Sequence, residues 1–157
     1  MNLGAHMSIA GGVHRALERG KRLGCDAVQL FVKNTNQWRL RALPEEQVSL
    51  FREERSAFPR NFVLAHGSYL VNLASPDAEL LERSLRGFLE EMKRARTLDI
   101  PYIVIHPGSH RGSGATIGTR RVAKSLDALV AGAGGSGPEI LLETTAGQGD
   151  TLGRTFD

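Results

Sequence analysis

The 157-residue sequence predicts an α/β fold built on a parallel β-sheet. Two observations carry this expectation. Apolar runs of strand length alternate with segments of helical period from the first residues onward, the pattern of strands joined by helical crossovers. Three of the runs also end on a side chain able to ligate a metal. Phe62-Val63-Leu64-Ala65 leads into His66, Tyr102-Ile103-Val104-Ile105 into His106, and Ile140-Leu141-Leu142 into Glu143.

The elements follow in order. Leu3 to Ile9 reads as a first strand. A helix over Gly12 to Leu23 carries Val13, Ala16, Leu17 and Leu23 at helical spacing, and Gly24 stops it. Ala27 to Val32 is a second strand. Pro44-Glu45-Glu46 opens a helix with proline in its first turn and acids at the positive end of its dipole, running to about Phe58. The third strand leads into His66. Ser75-Pro76 is the expected cap of a helix reaching Leu98, with Leu81, Leu85, Phe88, Met92 and Ala95 inward and Glu82, Arg83, Glu90, Lys93 and Arg94 outward. After the fourth strand a helix is expected over Thr119 to Val130. A Gly-rich connector, Ala131 to Pro138, then leads into the fifth strand.

Open doubly wound sheets and closed barrels share this (βα)₄β order. Ligands on consecutive strand ends favour the barrel, because an open sheet gathers its site at one switch point. A complete TIM-type (β/α)8 barrel needs about 250 residues. The expectation is therefore that residues 1–157 are the N-terminal part of a single TIM-barrel domain, truncated after the fifth strand.

Composition is that of an ordinary globular domain: 41% apolar, 24% charged, net charge +3. Slight basicity permits a polyanionic partner without requiring one. A single cysteine, Cys25, excludes a disulfide framework and a cysteine-based zinc site. No apolar stretch approaches the ~18 residues of a membrane span. No secretory leader pattern opens the chain, so the expected compartment is cytoplasmic.

His66 and His106 are 40 residues apart, and His106 and Glu143 are 37 apart. Leu64, Val104 and Leu141 stand two residues before the three ligands. Strand side chains alternate, so each shares a face with its ligand. Parallel neighbours about 4.8 Å apart would bring the three strand ends to one mouth.

At these strand ends the segments Gly4-Ala5-His6-Met7-Ser8, Lys33-Asn34-Thr35-Asn36-Gln37-Trp38, His66-Gly67-Ser68-Tyr69-Leu70-Val71-Asn72-Leu73, His106-Pro107-Gly108-Ser109-His110 and Glu143-Thr144-Thr145-Ala146-Gly147-Gln148-Gly149 resemble the endonuclease IV family. Its members are zinc-dependent apurinic/apyrimidinic endonucleases of DNA base-excision repair. The resemblance covers essentially the whole chain. It implies a TIM barrel with three Zn²⁺ ions per complete enzyme, duplex DNA containing abasic sites as partner, no membrane and a monomeric complete enzyme. His66 and His106 match histidine ligands of the first zinc, and Glu143 matches the carboxylate bridging the first and second. Tyr69 and Leu70 match residues that enter the minor groove at the lesion. Lys33, Asn34, Asn36, Gln37 and Trp38 match a DNA-contacting loop in which this chain carries Asn36 in place of an arginine. The remaining ligands belong to the second half of the barrel, so this chain holds ligands for one zinc and part of a second.

The implied reaction is hydrolysis of the phosphodiester 5′ to an abasic sugar, with Glu143 catalytic through its hold on the metal pair. The expectation for these 157 residues alone is inactivity. Two other readings stay open: a metal-dependent sugar isomerase-like barrel, and a non-catalytic truncated product. Among other residues, His6 and His110 are placed around the ligands as indirect support or DNA-facing groups. Lys33, Arg39, Arg41 and Arg111 lie in post-strand loops where phosphate contacts are expected. His14 is expected exposed on its helix. Trp38 is read equally as a DNA stacker or as a lid under its own loop.

Overall fold

The computed structural model describes residues 1–135 and 137–156. Five parallel strands lie side by side in chain order: β1 (Gly4–Met7), β2 (Ala27–Phe31), β3 (Val63–His66), β4 (Tyr102–Ile105) and β5 (Glu139–Leu142). Four helices make the crossovers: α1 (His14–Arg22), α2 (Glu45–Arg55), α3 (Ala78–Thr97) and α4 (Ala115–Gly132). A 3₁₀ turn, Arg60–Phe62, takes up the first residue of the expected third strand. The (βα)₄β order read from the sequence is the order observed, in an α/β fold with an all-parallel sheet.

Register divides each strand between two faces. Val28 pairs with Val63, Leu30 with Ala65, Ala65 with Ile103, and Ile105 with Leu142. Val28, Leu30, Val63, Ala65, Ile103 and Ile105 form one core with Leu17, Phe51, Phe88, Met92 and Leu129 of the helices. The alternate residues form the other face: His6 beside Gln29, Gln29 beside Leu64, Phe31 beside His66, and Val104 beside Leu141. Of these only His66 and Val104 are buried.

Local chemistry shifts several boundaries. The cap of α3 is Asp77, whose carboxylate accepts from the Leu80 N–H at 3.0 Å, and not Ser75. Ser75 instead accepts from the Asp77 N–H and braces the entry turn. Helix α4 begins at Ala115, four residues before the expected Thr119, because Gly114 at φ 91 supplies the break. The inward side of α3 includes Ser84 and Glu91 as well as Phe88, Met92 and Ala95. Arg94, expected outside, is half-buried and donates to the Val32 carbonyl at 3.0 Å and to that of Arg41. His14 is buried at 7% exposure, turned in with Val13, Ala16 and Leu17. Of the Gly-rich connector, Ala131 and Gly132 are helical, while Ser136 lies outside the described residues, as does Asp157. Among the described residues no helix is long and apolar enough to cross a membrane.

Candidate metal centre

The three ligands expected at the strand ends meet. His66 closes β3, level with Val104 of β4, and its side chain is 5% exposed. His106 follows β4 by one residue. Glu143 follows β5 by one, and its N–H donates to the Ile105 carbonyl at 3.0 Å, carrying the ladder to the ligand itself. One carboxylate oxygen of Glu143 lies 2.9 Å from His66 Nε2 and 3.4 Å from His106 Nε2. One ligand atom from each residue falls within 4.8 Å of the others.

The hydrogen bond behind His66 settles its tautomer. Nδ1 lies 2.7 Å from the Gly67 carbonyl oxygen, which can only accept. Nδ1 therefore carries hydrogen, and Nε2 is the nitrogen turned toward Glu143. Two acceptors 2.9 Å apart repel unless a cation, a proton or a metal ion, sits between them. The donor set of two imidazoles and a carboxylate suits zinc, with room for a further ligand in a catalytic site.

Aromatic rings wall the centre. Phe31, Tyr69 and His106 stand 5.3, 5.6 and 5.3 Å from the His66 ring. His6 is 5.8 Å from it and 4.3 Å from Phe31, with Nδ1 3.2 Å from Gln29 Oε1. Burial lowers the His6 pKa, opposed by the Gln29 bond. The sequence reading passed over Phe31. Its signal was there, since period two from Gln29 puts it on the ligand face.

A cavity of about 580 Å³ opens beside the centre, lined in part by Trp38, His66, Tyr69, Leu70, His106 and Arg111. Tyr69 is 66% exposed at its mouth. Trp38 is half-buried, with α3 against its ring: a Cβ on Gly87 would stand 3.3 Å away. The Arg83 guanidinium lies 5.8 Å above the same ring. Trp38 is thus a lid by packing that also lines the cavity.

Lys33 is placed differently from the expectation. Its side chain is 6% exposed, and its ammonium donates to the Gln37 carbonyl and stands 3.5 Å from Glu91. Burial has spent this cation inside the protein, so it does not reach DNA in this conformation. Asn34, Asn36 and Gln37 are exposed on the loop, which the Asn34 carboxamide braces by accepting from the Asn36 N–H at 2.9 Å. Glu91, 1% exposed, also accepts from the Ser68 N–H at 2.8 Å, and Ser68 donates to the Thr35 carbonyl. Burial pushes the Glu91 carboxyl up, against the pull of the Ser68 N–H and Lys33. One buried pair thereby joins the loops after β2 and β3.

Asn72 makes the next link. Its carboxamide accepts from the Ser109 N–H at 2.9 Å and donates to the Ser109 carbonyl at 3.0 Å. Gly108, at φ +105, leaves the space: a Cβ there would stand 2.2 Å from Asn72 Oδ1. His110 does not support the ligands. Its Nδ1 accepts from the Gly114 N–H at 3.2 Å and its Nε2 lies 3.7 Å from Asp150, so it packs the loop after β4 against the loop after β5.

Residues 17–157 match the family described as xylose isomerase-like TIM barrel. A protein from Geotalea daltonii named probable endonuclease 4 is 50% identical over 155 residues, covering 99% of this chain and 54% of its own length. The corresponding protein of Geobacter sulfurreducens is 48% identical, with 52% of its length covered. The crystal structure of endonuclease IV from Thermus thermophilus superposes with a TM-score of 0.85 at 38% identity, covering 99% of this chain and 56% of that one. A D-tagatose 3-epimerase-like protein shares the fold at a TM-score of 0.73 and 19% identity. The chain spans about half the length of the curated relatives it matches. It belongs to the xylose isomerase-like TIM-barrel family, and its likeness within that family is to endonuclease IV.

Proposed function

We propose that residues 1–157 are the first-metal and lesion-reading portion of a single-domain, zinc-dependent AP endonuclease of DNA base-excision repair. The whole enzyme hydrolyses the phosphodiester 5′ to an abasic site in duplex DNA, as a cytoplasmic monomer. The observation that carries the reading is the convergence of His66, His106 and Glu143, one possible ligand atom from each lying within 4.8 Å of the others. Half-length coverage of endonuclease 4 relatives gives it its reaction class.

His66, held in one tautomer by Gly67, and His106 would hold the ion with Glu143. A bound zinc lowers the pKa of its water and screens the phosphate charge. The chain's own residues do the rest. Glu143 would complete the ligand set through the oxygen that faces both histidines and would orient the attacking group. Tyr69 and Leu70 wedge at the abasic gap, where no base competes for the space. Asn34, Asn36, Gln37 and Trp38 meet the same strand from the loop after β2. Metal-pair hydrolysis needs more ligands than these three, so the 157-residue chain alone is expected to bind without cutting.

The test is a fusion of this chain to the remaining half of the Geotalea daltonii relative. It should nick abasic duplex, stop on chelation and resume with zinc. Nicking that survives thorough chelation would refute the metal reading. Isomerisation of a sugar in place of nicking would transfer the chain to the sugar isomerase-like class.

A further inference from the structure

We propose that Arg111 is the phosphate-binding residue of the cavity beside the metal centre, taking a backbone phosphate of the strand that lies across Tyr69 and Leu70. The identity of that strand rests on the reading just given; the anion site itself does not.

Five cations stand in the post-strand loops, and the structure separates them. Arg154, after β5, lies with its stem over Gly147 and does not line the cavity. Lys33 is buried on Glu91 and Gln37. Arg39 borders a different depression, behind Trp38, with Arg83, Arg86 and Glu90. Arg41 lines neither space. Arg111 lines the same cavity as His66, His106, Tyr69 and Leu70. It is exposed, and among the described residues its guanidinium has no hydrogen bond and no ion pair. A free fork of donors beside an anion-seeking centre matches a phosphodiester oxygen pair.

The backbone supplies a second reason. His110 to Ser113 is a turn closed by the Ser113 N–H on the His110 carbonyl at 3.0 Å, with Arg111 at φ 45 and Gly112 at φ 79. Two successive left-handed residues suit glycine, asparagine or aspartate, and arginine is a strained occupant. Among the described residues the other non-glycine residue at positive φ, Asp99, simply ends α3. The Arg111 turn is also fixed from both sides. Asn72 holds Ser109, and Arg121 donates to Ser113 Oγ at 2.6 Å while that hydroxyl donates to His110 O at 2.7 Å. A strained residue on a rigid mount, lining the cavity beside the two histidines, is a preorganised contact.

The experiment measures binding of the 157-residue chain with zinc to a short intact duplex and to the same duplex carrying an abasic site, across a salt series. Arg111→Gln should weaken both and lower the salt slope by about one, with Arg111→Lys restoring the slope and melting unchanged in both variants. Tyr69→Ala should leave the slope alone. An unchanged slope in Arg111→Gln overturns the inference, as does failure of the wild-type chain to bind either duplex. A slope that responds in a chain showing no abasic preference would uphold the phosphate site and refute the lesion reading. Abasic preference with an unresponsive slope would do the reverse.

Discussion

The two faces of the sheet are made by the same strands and do opposite work. On the helix side, Val28, Leu30, Val63, Ala65 and Ile103 are all at 0% exposure. On the ligand side the same strands present Gln29, Phe31, Leu64, Tyr102 and Leu141, all half-buried, and end on His66, His106 and Glu143. Hydrophobic burial is non-directional and asks only for volume and shape. Metal ligation asks for three atoms at one point, which β-strand geometry delivers when neighbouring strands end in step. Stability is thus concentrated on one face and the candidate metal site on the other, and substitutions should separate them.

The largest expected effect tests the dry face. Leu30→Ala should cost about 2–5 kcal/mol of stability, the range for a fully buried leucine, while Leu64→Ala on the half-buried face costs clearly less. Urea unfolding of both measures the difference. Equal losses would mean that the ligand face is as much core as the helix face.

The buried pair between the loops is expected to matter to a comparable degree. Removing one partner, as in Lys33→Met or Glu91→Leu, should cost about 3–5 kcal/mol, because a charge is left buried alone. The double variant should recover most of that loss. Additive losses in the cycle would show that Lys33 and Glu91 do not interact.

Tyr69→Ala sharpens the contrast from the other side. An exposed ring contributes little to the core, so melting should hold. Affinity for abasic duplex should fall by about 1–3 kcal/mol, the scale of one stacking contact. Unchanged affinity would make Tyr69 packing for its own loop.

A smaller effect is read in pH. Burial raises the Glu91 carboxyl above its ordinary value, with the Ser68 N–H and Lys33 opposing. Its folded pKa therefore exceeds the unfolded one. Its contribution is fully present below the ordinary carboxylate range and is lost as pH rises through the raised folded value. Melting of wild type and Glu91→Gln across that window should show the variant with the flatter pH dependence. Parallel curves would contradict the raised carboxyl.

Much of this was legible in the sequence because period two is a local signal. Leu64 and His66, Val104 and His106, and Leu141 and Glu143 each declare one face within three residues, and the parallel order brings them together. What was not legible depends on segments far apart in the chain. Lys33 reads as a loop cation until Glu91, on a helix two elements away, takes its ammonium. His110 reads as a ligand's neighbour until Asp150 and the Gly114 N–H claim its ring. Asn72 carries no periodic mark, and its role appears only when Gly108 and Ser109 arrive beside it. The early start of α4 is set by Gly114 at φ 91, a backbone angle with no periodic mark, and Gly118 is a buried residue of the helix.

The central claim is that the ligand face holds a metal ion at His66, His106 and Glu143. Cobalt(II) titration of the 157-residue chain, followed by its visible absorption and by competition with zinc, tests it most directly. The expected result is one ion per chain with a four- or five-coordinate spectrum, displaced by zinc and abolished in His66→Ala and in His106→Ala, with Glu143→Gln weakening it. Binding that persists unchanged in both histidine variants, or no binding by a chain shown to be folded, would contradict the claim.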